Sequence, residues 1–282
     1  MNREPGTIGF LIEETEHFLR SDVFCAPIAL AIESRLSEAG HRMRLINPVT
    51  PLDDIESLQG IIYMQAKSSS LYQELIRKLP VVALLPDTSE VLAASIVVDD
   101  DACGRIAAEK MRSGPGMKYV AASGEEENGT IPVPYRRRVE GFTETIRTAG
   151  GAVQLLTAPF HHVAGTSGAT ASRPVGDKIG LILLSQSERP AGVFAVNDYI
   201  ADEIVQWFRS SNVSVPQEVQ VIGCDNLPTR NSDISTVHVS KSAIGRAAAE
   251  RMLVLLENGD DRSLPLTPAF IARGTTREPG SR

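Results

Sequence analysis

The sequence predicts an α/β protein with two doubly wound parallel-sheet lobes, in which helices cover both faces of a buried sheet. Short continuous apolar runs alternate with segments whose apolar residues recur at helical spacing, the pattern of buried parallel strands and crossover helices. About nine such strands can be identified, more than one compact sheet comfortably takes in a chain of 282 residues. The composition, 42% hydrophobic and 22% charged, is that of a globular chain.

The first half of the chain alternates apolar runs with amphipathic segments. The apolar runs predict strands at 7–12, 42–46, 60–64, 81–85 and 95–98, and helical periodicity predicts helices at 22–38 and 71–78. The first helix is indicated by apolar residues at every fourth position, with Ser21 as its expected N-cap and Gly40 as its expected end. These apolar residues are Phe24, Ile28, Ile32 and Leu36.

The second half repeats this alternation. Strands are predicted at 118–122, 152–156, 192–195 and 219–224, and helices from near residue 103 and at 136–149, 169–184, 198–211 and 243–257. The segments 124–134 and 165–176 are rich in Gly, Ser and Pro and are expected to be loops. Pro174 is expected to start or break the helix near 169–184.

The composition excludes several classes of protein. The chain has 35 acidic and 28 basic residues, and its net charge of −7 speaks against direct binding of nucleic-acid phosphates. No apolar run approaches the roughly 20 residues of a membrane-spanning helix, and the N-terminus lacks the apolar segment of a signal peptide. Three scattered cysteines fit a reducing compartment. We therefore expect a cytoplasmic protein with no membrane partner.

The usual signatures of catalysis and cofactor binding are missing. The sequence has no G-x-x-x-x-G-K-[ST] phosphate loop, no complete dinucleotide fingerprint and no G-x-S-x-G nucleophile motif. Its five histidines form no H-E-x-x-H motif. The run Asp99–Asp101 could bind a cation, but a helix N-terminus, where the dipole favours acidic residues, explains it equally well. We therefore expect no enzyme, no catalytic residues, no cofactor and no metal ligands.

Polar residues directly after two apolar strands are the first candidates for ligand binding, because ligands of open parallel sheets bind beyond the carboxyl ends of the strands. Asp225 follows the strand at 219–224. Its carboxylate can accept two hydrogen bonds from vicinal hydroxyls, or it can cap a turn. Asn197 follows the strand at 192–195 and offers both a donor and an acceptor. Either Asn197 or Asp198 is expected to cap the next helix.

Two further candidates lie at predicted helix starts. Arg138 is the last of three consecutive arginines in the first turn of the helix at 136–149, where a positive charge opposes the helix dipole. Helical spacing does not decide which of the three faces a ligand. Phe24 begins the helix at 22–38 and is either a core residue or a stacking platform for a ligand.

These residues, taken in order, resemble the effector-binding domain of the LacI/GalR family of bacterial transcription regulators over nearly the whole chain. Ala195–Asp198 and the later VPQEVQVIGCDN at 215–226 are similar to the family pattern AxND…vPxDvsviGfDd in order and spacing. Arg138–Phe142 resembles R-x-x-G-F. Shorter resemblances lie at Ile8–Leu11, Gln59–Ile62, Leu79–Val82, 235–237 and 244–248.

The resemblance implies a periplasmic-binding-protein-like fold of type I, with two lobes joined by a three-strand hinge and a small effector in the cleft between them. The N-terminal lobe would contain residues 1–98 and 238–264, and the C-terminal lobe residues 99–237 and 265–282. By matching positions, the ligand-binding residues would be Arg138 and Asp225 as the main pair, Asn197 beside them, and Glu13, Phe24 and Met64 at further positions of the cleft.

The function that the resemblance implies is sensing of a small polar metabolite, a sugar or sugar-like molecule, by a homodimeric transcription regulator. The effector would change the dimer geometry and thereby DNA binding by a headpiece. No helix-turn-helix precedes Thr7, so this chain itself is not expected to contact DNA. The alternative is a periplasmic-type solute-binding protein of a transport or sensing system. Two departures from simple sugar-binding members are Leu85-Pro86, where some carry an aspartate, and the acidic loop before Tyr135.

Overall fold

A computed structural model describes residues 5–12, 23–46, 55, 57–65, 70–86, 94–111, 115–161, 168–258 and 264–277. The chain forms two compact units. Unit 1 contains Met1–Val98 and Val239–Leu266, and unit 2 contains Asp99–His238 and Thr267–Arg282. Within these described ranges, each unit has one six-stranded sheet. In the part of the chain that the structure describes, no helix has the length and apolar character needed to cross a membrane.

The elements follow one another as alternating strands and helices. In chain order they are β1 (Thr7–Leu11), α1 (Cys25–Glu38), β2 (Arg42–Ile46), β3 (Gly60–Met64), α2 (Ser70–Lys78), β4 (Val81–Leu84), β5 (Ser95–Val98), α3 (Asp100–Lys110), β6 (Lys118–Glu125), α4 (Val133–Thr148), β7 (Ala152–Pro159), α5 (Gly168–Ser185), β8 (Gly192–Ala195), α6 (Asp198–Ser210), β9 (Gln220–Cys224), β10 (Ser235–His238), α7 (Lys241–Asn258), β11 (Leu264–Leu266) and β12 (Ala269–Ile271).

The sheet of unit 1 is parallel throughout, in the order β11-β5-β4-β3-β1-β2. Its central strands β3 and β4 consist of buried residues only, as expected for strands that are covered on both faces. Helices α1 and α7 pack against each other, and their apolar stripes join one core cluster with the sheet. The periodicity predicted for α1 is confirmed, because Ile28, Ile32 and Leu36 are fully buried.

The sheet of unit 2 has the order β12-β10-β9-β8-β6-β7 and is parallel except for β12, which pairs antiparallel with β10. A row of aromatic rings holds α4 on this sheet. Phe142 of α4 stacks on Phe194 of β8 with ring centroids 5.1 Å apart, and Tyr119 of β6 meets the edge of Phe142 at 6.4 Å. These contacts fix the helix that carries the candidate Arg138.

Two glycines allow α3 and α4 to touch along their backbones. A Cβ added to Gly104 of α3 would lie 1.9 Å from the Arg138 carbonyl oxygen, and one added to Gly141 of α4 would lie 2.1 Å from the Asp101 carbonyl oxygen. No side chain fits in either place. The first turn of α3 is therefore brought directly beside the part of α4 that contains Arg138.

Several predicted boundaries differ from the observed ones. Helix α1 begins at Cys25 rather than near residue 22. Helix α4 begins at Val133 because its proline, Pro134, lies in the first turn, where a missing N–H costs nothing. Helix α5 continues through Pro174, which removes only one helix hydrogen bond while the rest of the helix packs against α6. Strands β10, β11 and β12 were not predicted, and β11 and β12 have only three residues each, too few to show a period.

Candidate functional site

Asp225 follows the fully buried strand β9, as the sequence predicted. Asp225 and Asn226 have φ values of 89° and 51°, so the chain turns sharply where the strand ends. Two successive non-glycine residues in this region are energetically unfavourable, and such strain concentrates at functional sites. The turn is held by a hydrogen bond that the Asp225 amide donates to the Val237 carbonyl oxygen at 2.8 Å. A costly backbone conformation thus sets the direction of the Asp225 carboxylate.

Arg138 bonds to that carboxylate from the neighbouring helix. Its Nη1 donates to Asp225 Oδ2 at 2.9 Å and to the Val196 carbonyl oxygen at the end of β8 at 2.8 Å. Its Nε donates to Asp100 Oδ1 at 2.8 Å. Among the described residues, Nη2 of Arg138 has no hydrogen bond. The structure therefore brings the predicted pair Arg138 and Asp225 together and leaves one donor nitrogen of the guanidinium for another partner.

The charges of this cluster are strongly coupled because they are buried. Arg138, Asp100 and Asp225 have side-chain exposures of 7%, 11% and 15%. Burial raises the pKa of Asp100, an effect that Arg138 opposes and Asp225 reinforces. Burial alone would lower the pKa of Arg138, but neighbouring acidic groups, Asp225 foremost, hold it well above its ordinary value. One guanidinium is thus shared by two carboxylates.

Asn197, the third candidate in unit 2, is the N-cap of α6. Its Oδ1 accepts a hydrogen bond from the Ile200 amide at 3.0 Å. Its Nδ2 donates to Ser172 Oγ at 3.0 Å and to the Tyr135 hydroxyl at 3.3 Å. The side chain is buried, so its observed bonds orient the helix start and Tyr135. Contact with a ligand stays a prediction for Asn197.

Tyr135 lies between the charged cluster and a second aromatic ring. Its ring is 5.6 Å from the Arg138 guanidinium and 5.9 Å from the ring of Phe160, which follows β7. Burial raises the pKa of Tyr135 to about 12, with Asp225 adding to the shift. The hydroxyl therefore keeps its proton near neutral pH and is available as a hydrogen-bond donor.

Two buried carboxylates of α6 anchor the loop after Asp225: Asp198 accepts a hydrogen bond from the Leu227 amide at 2.7 Å, and Asp202 holds the following residues. Asp202 accepts hydrogen bonds from the Asn231 amide at 2.9 Å and Nδ2 at 2.7 Å, and from the Arg230 amide at 3.2 Å. Burial would raise the pKa of Asp202, but these bonds outweigh it and the pKa is lowered. The sequence analysis did not identify these anchors. The available signal was the spacing of Asp198 and Asp202, one turn apart on a helix striped with apolar residues.

The sequence analysis also did not identify Asp100 and Tyr135 as site residues. Asp100 was interpreted as an acid favoured by the helix dipole, and it does lie in the first turn of α3, which Asp99 caps by accepting the Ala102 amide at 2.9 Å. No local pattern relates Asp100 to Arg138, because 38 residues separate them and the contact depends on the glycine approach of α3 and α4.

The remaining candidates belong to the N-terminal part of the chain. Glu13 lies outside the described residues. Met64 is 2% exposed and packs in the core of unit 1. Phe24 is the N-cap residue of α1, is partly buried against the same core and has the ammonium of Lys241 5.6 Å from its ring centre. These placements give Met64 and Phe24 packing roles within unit 1, and ligand contact stays a prediction for all three.

The charged and polar groups of this site are of kinds that can bind a polar ligand. Within the described ranges, no three His, Cys, Asp or Glu side chains are grouped so that they could hold a metal ion. A carboxylate beside a donor nitrogen can bind two adjacent hydroxyls, because the carboxylate accepts a hydrogen bond from one hydroxyl and the nitrogen donates one to the other.

Comparison with known proteins shows which proteins this chain is similar to. A family model described as periplasmic binding protein-like domain matches residues 115–276. The HTH-type transcriptional repressor PurR of Photobacterium profundum is 23% identical over 292 residues, which cover 96% of this chain and 81% of the repressor. A LacI transcriptional regulator from a Rhodococcus species has a TM-score of 0.72 at 18% identity, with 96% of this chain and 98% of that chain covered.

A second solved structure was determined with a ligand. It is a LacI family transcriptional regulator from Enterococcus faecium with bound ribose, with a TM-score of 0.70, 21% identity, and coverage of 96% of this chain and 98% of that chain. The relatives are repressors and not enzymes, in agreement with the sequence analysis. The predicted fold class and family resemblance are both confirmed. The chain belongs to the periplasmic binding protein-like domain family, as a LacI/GalR-type effector-binding domain.

Proposed function

We propose that the chain binds a small polyhydroxy metabolite, a sugar or sugar-like molecule, and thereby regulates a transcription repressor. The observation that carries the proposal is the ion pair between Arg138 and Asp225, 2.9 Å apart, at the carboxyl ends of β8 and β9. This is the edge at which open parallel sheets bind ligands. The strained turn at Asp225 and the unbonded Nη2 of Arg138 fit a site formed for an additional partner.

The chemistry of this edge favours hydroxyl groups. The Asp225 carboxylate accepts hydrogen bonds and the Arg138 guanidinium donates them, so the pair complements a vicinal diol. The rings of Tyr135 and Phe160 add an apolar surface beside the charges, suited to the C–H face of a sugar ring. The ribose in the Enterococcus faecium regulator is consistent with this class of ligand.

We also propose that the domain acts as a homodimer whose geometry responds to the ligand. The support is an apolar surface on unit 2. Among the described strands, β7 lies at the edge of its sheet with Leu155 exposed, and α5, which packs beside it, exposes Leu181 and Ile182. Exposed apolar residues next to an unpaired strand edge are typical of interaction surfaces. Sedimentation at micromolar concentration should give a dimer, and Leu181→Glu should shift it toward monomer.

The alternative is a solute-binding protein of a transport or sensing system. The description of the family model favours it, since it refers to periplasmic binding proteins. The PurR repressor of Photobacterium profundum, which the chain matches along 96% of its length, favours regulation. Ligand-dependent DNA binding by the natural protein would support regulation, and delivery of the ligand to a membrane transporter would support the alternative.

The experiment that tests ligand binding compares Asp225→Asn with wild type. Thermal-shift screening against neutral sugars and polyols first selects a ligand, and calorimetry then measures its affinity for both proteins. A hydrogen bond to a charged group contributes about 1.5–3 kcal/mol, so we expect roughly 10- to 100-fold weaker binding. Asp233→Asn is the matched control, because Asp233 forms an exposed ion pair with Arg209 elsewhere in unit 2. Equal affinity of Asp225→Asn and wild type would refute the site.

A further inference from the structure

We infer that Asp100 makes the proposed site selective against anionic ligands, so that it takes an uncharged polyhydroxy molecule and rejects the corresponding sugar acid or sugar phosphate. The inference rests on the proposed function, because it concerns the ligand of the same site. It names a determinant, Asp100, that takes no part in the hydrogen-bonding argument for Asp225.

The first step is that the positive charge of Arg138 is already matched. Its Nε is bonded to Asp100 at 2.8 Å and its Nη1 to Asp225 at 2.9 Å. Arginine usually recognises carboxylate or phosphate groups by offering two parallel donors to one anion. Arg138 instead divides its bonded donors between two carboxylates of its own unit. The guanidinium can still donate a hydrogen bond to a hydroxyl, but it cannot serve as the counter-charge of an anionic ligand.

The second step is that the stability of helix α3 does not require an acid at the buried position of Asp100. Asp99 already caps α3, and Asp101 beside it is exposed to solvent and is also favoured by the helix dipole. Asp100 is instead turned inward and 9% exposed. Burial of an acid is unfavourable, and burial raises the pKa of Asp100 while Asp225 raises it further. A third negative charge from a ligand would add to the same repulsion.

The third step concerns the other arginines of unit 2, of which Arg137 lies near enough to Asp100 to oppose the rise of its pKa. Arg173 is paired with Asp202 at 3.0 Å and Glu203 at 2.8 Å, and Arg230 is bonded to the same two carboxylates. Arg273 differs, because it donates to two neutral acceptors, Asn226 Oδ1 and the Ile234 carbonyl oxygen. An anion bound through Arg137 or Arg273 is therefore the competing outcome, and it would reverse the predicted selectivity.

The experiment measures the affinity of the whole chain for matched pairs of ligands by calorimetry. The probes are D-glucose with D-glucuronate, D-galactose with D-galacturonate, and D-ribose with ribose 5-phosphate. For each neutral sugar that binds, we expect its anionic partner to bind wild type roughly tenfold more weakly or worse, as charge repulsion at a partly buried site dictates. An anionic member that binds more tightly than its neutral parent would overturn the inference.

The variant Asp100→Asn isolates the cause. Asparagine keeps an oxygen that accepts from Arg138 Nε, so the fold and the hydrogen bond are retained while one negative charge is removed. We expect the neutral-to-anionic affinity ratio to fall by about tenfold, whereas Asp101→Asn, the exposed neighbour, should leave it unchanged. Asp100→Ser serves the same purpose should the asparagine variant fail to fold.

The outcomes separate this inference from the function on which it rests. An unchanged ratio in Asp100→Asn, with neutral sugars still bound, overturns the role of Asp100 and leaves the proposed function standing. Failure of every neutral and anionic probe to bind wild type would overturn the proposed function, and the selectivity with it.

Discussion

Replacing Arg138 by methionine should cause a large loss of stability that acid partly restores. The substitution fills much of the same volume but removes the donor of three hydrogen bonds, those to Asp100, Asp225 and the Val196 carbonyl oxygen. Both carboxylates are largely buried. Removing one partner of a buried ion pair leaves uncompensated charge and costs about 3–5 kcal/mol. That is a large share of the roughly 5–15 kcal/mol by which a typical domain is stable.

The dependence on pH gives the prediction its direction. Burial already raises the pKa of Asp100 above its ordinary value of 3.8, and Arg138 limits that rise. Without the guanidinium, the pKa of Asp100 in the folded protein rises further. The folded state then binds the proton more tightly than the unfolded chain, so stability falls as pH rises from 3.8 through the raised pKa. The loss in Arg138→Met should therefore be greatest near neutral pH and shrink on acidification.

Urea unfolding followed by circular dichroism, at about pH 7 and about pH 5, measures both effects. Arg136→Met is the matched control on the same helix, because Arg136 is exposed and pairs with Glu140 only at 3.8 Å. Its loss should stay within about 1 kcal/mol at both pH values. The reasoning is refuted if Arg138→Met costs no more than this control, or if acid destabilises it more than wild type.

Three further predictions concern the surroundings of the site. Gly104→Ala should cost about 3 kcal/mol in urea unfolding, because its Cβ would lie 1.9 Å from the Arg138 carbonyl oxygen; a loss within error would contradict the close helix contact. Asn197→Ala should cost about 1–2 kcal/mol by the same measurement, through loss of the cap on the Ile200 amide, and no loss would mean that the cap is dispensable. The difference between the ultraviolet pH titrations of wild type and Tyr135→Phe should give a pKa of about 12 for Tyr135, and a pKa near 10 would contradict its burial.

The order of strands and helices was predictable because each element buries an apolar face whose period is local in sequence. Phe142 and Ile146 mark α4 in this way, and both are fully buried. The start of α4 was less predictable, since Pro134 suits a loop and a first helical turn equally well. The antiparallel pairing of β12 was beyond prediction, because a strand this short has no readable period and helix α7 separates it in sequence from its partner β10.

The candidate site was predictable where position alone determines proximity. Asp225 and Asn197 follow neighbouring parallel strands, so their side chains share one edge of the sheet. The choice of Arg138 among three arginines came from the resemblance to the family, and the structure shows it buried while Arg136 is exposed. Asp100 could not have been identified, because its contact with Arg138 arises from the packing of two helices and not from any local pattern.

The most direct test of the proposed function is a crystal structure of the chain with the neutral sugar that stabilises it most in the thermal-shift screen. We predict ligand hydroxyls within hydrogen-bonding distance, about 3 Å, of both the Asp225 carboxylate and the Arg138 guanidinium. A sugar bound elsewhere, with neither side chain in contact with it, would contradict the account.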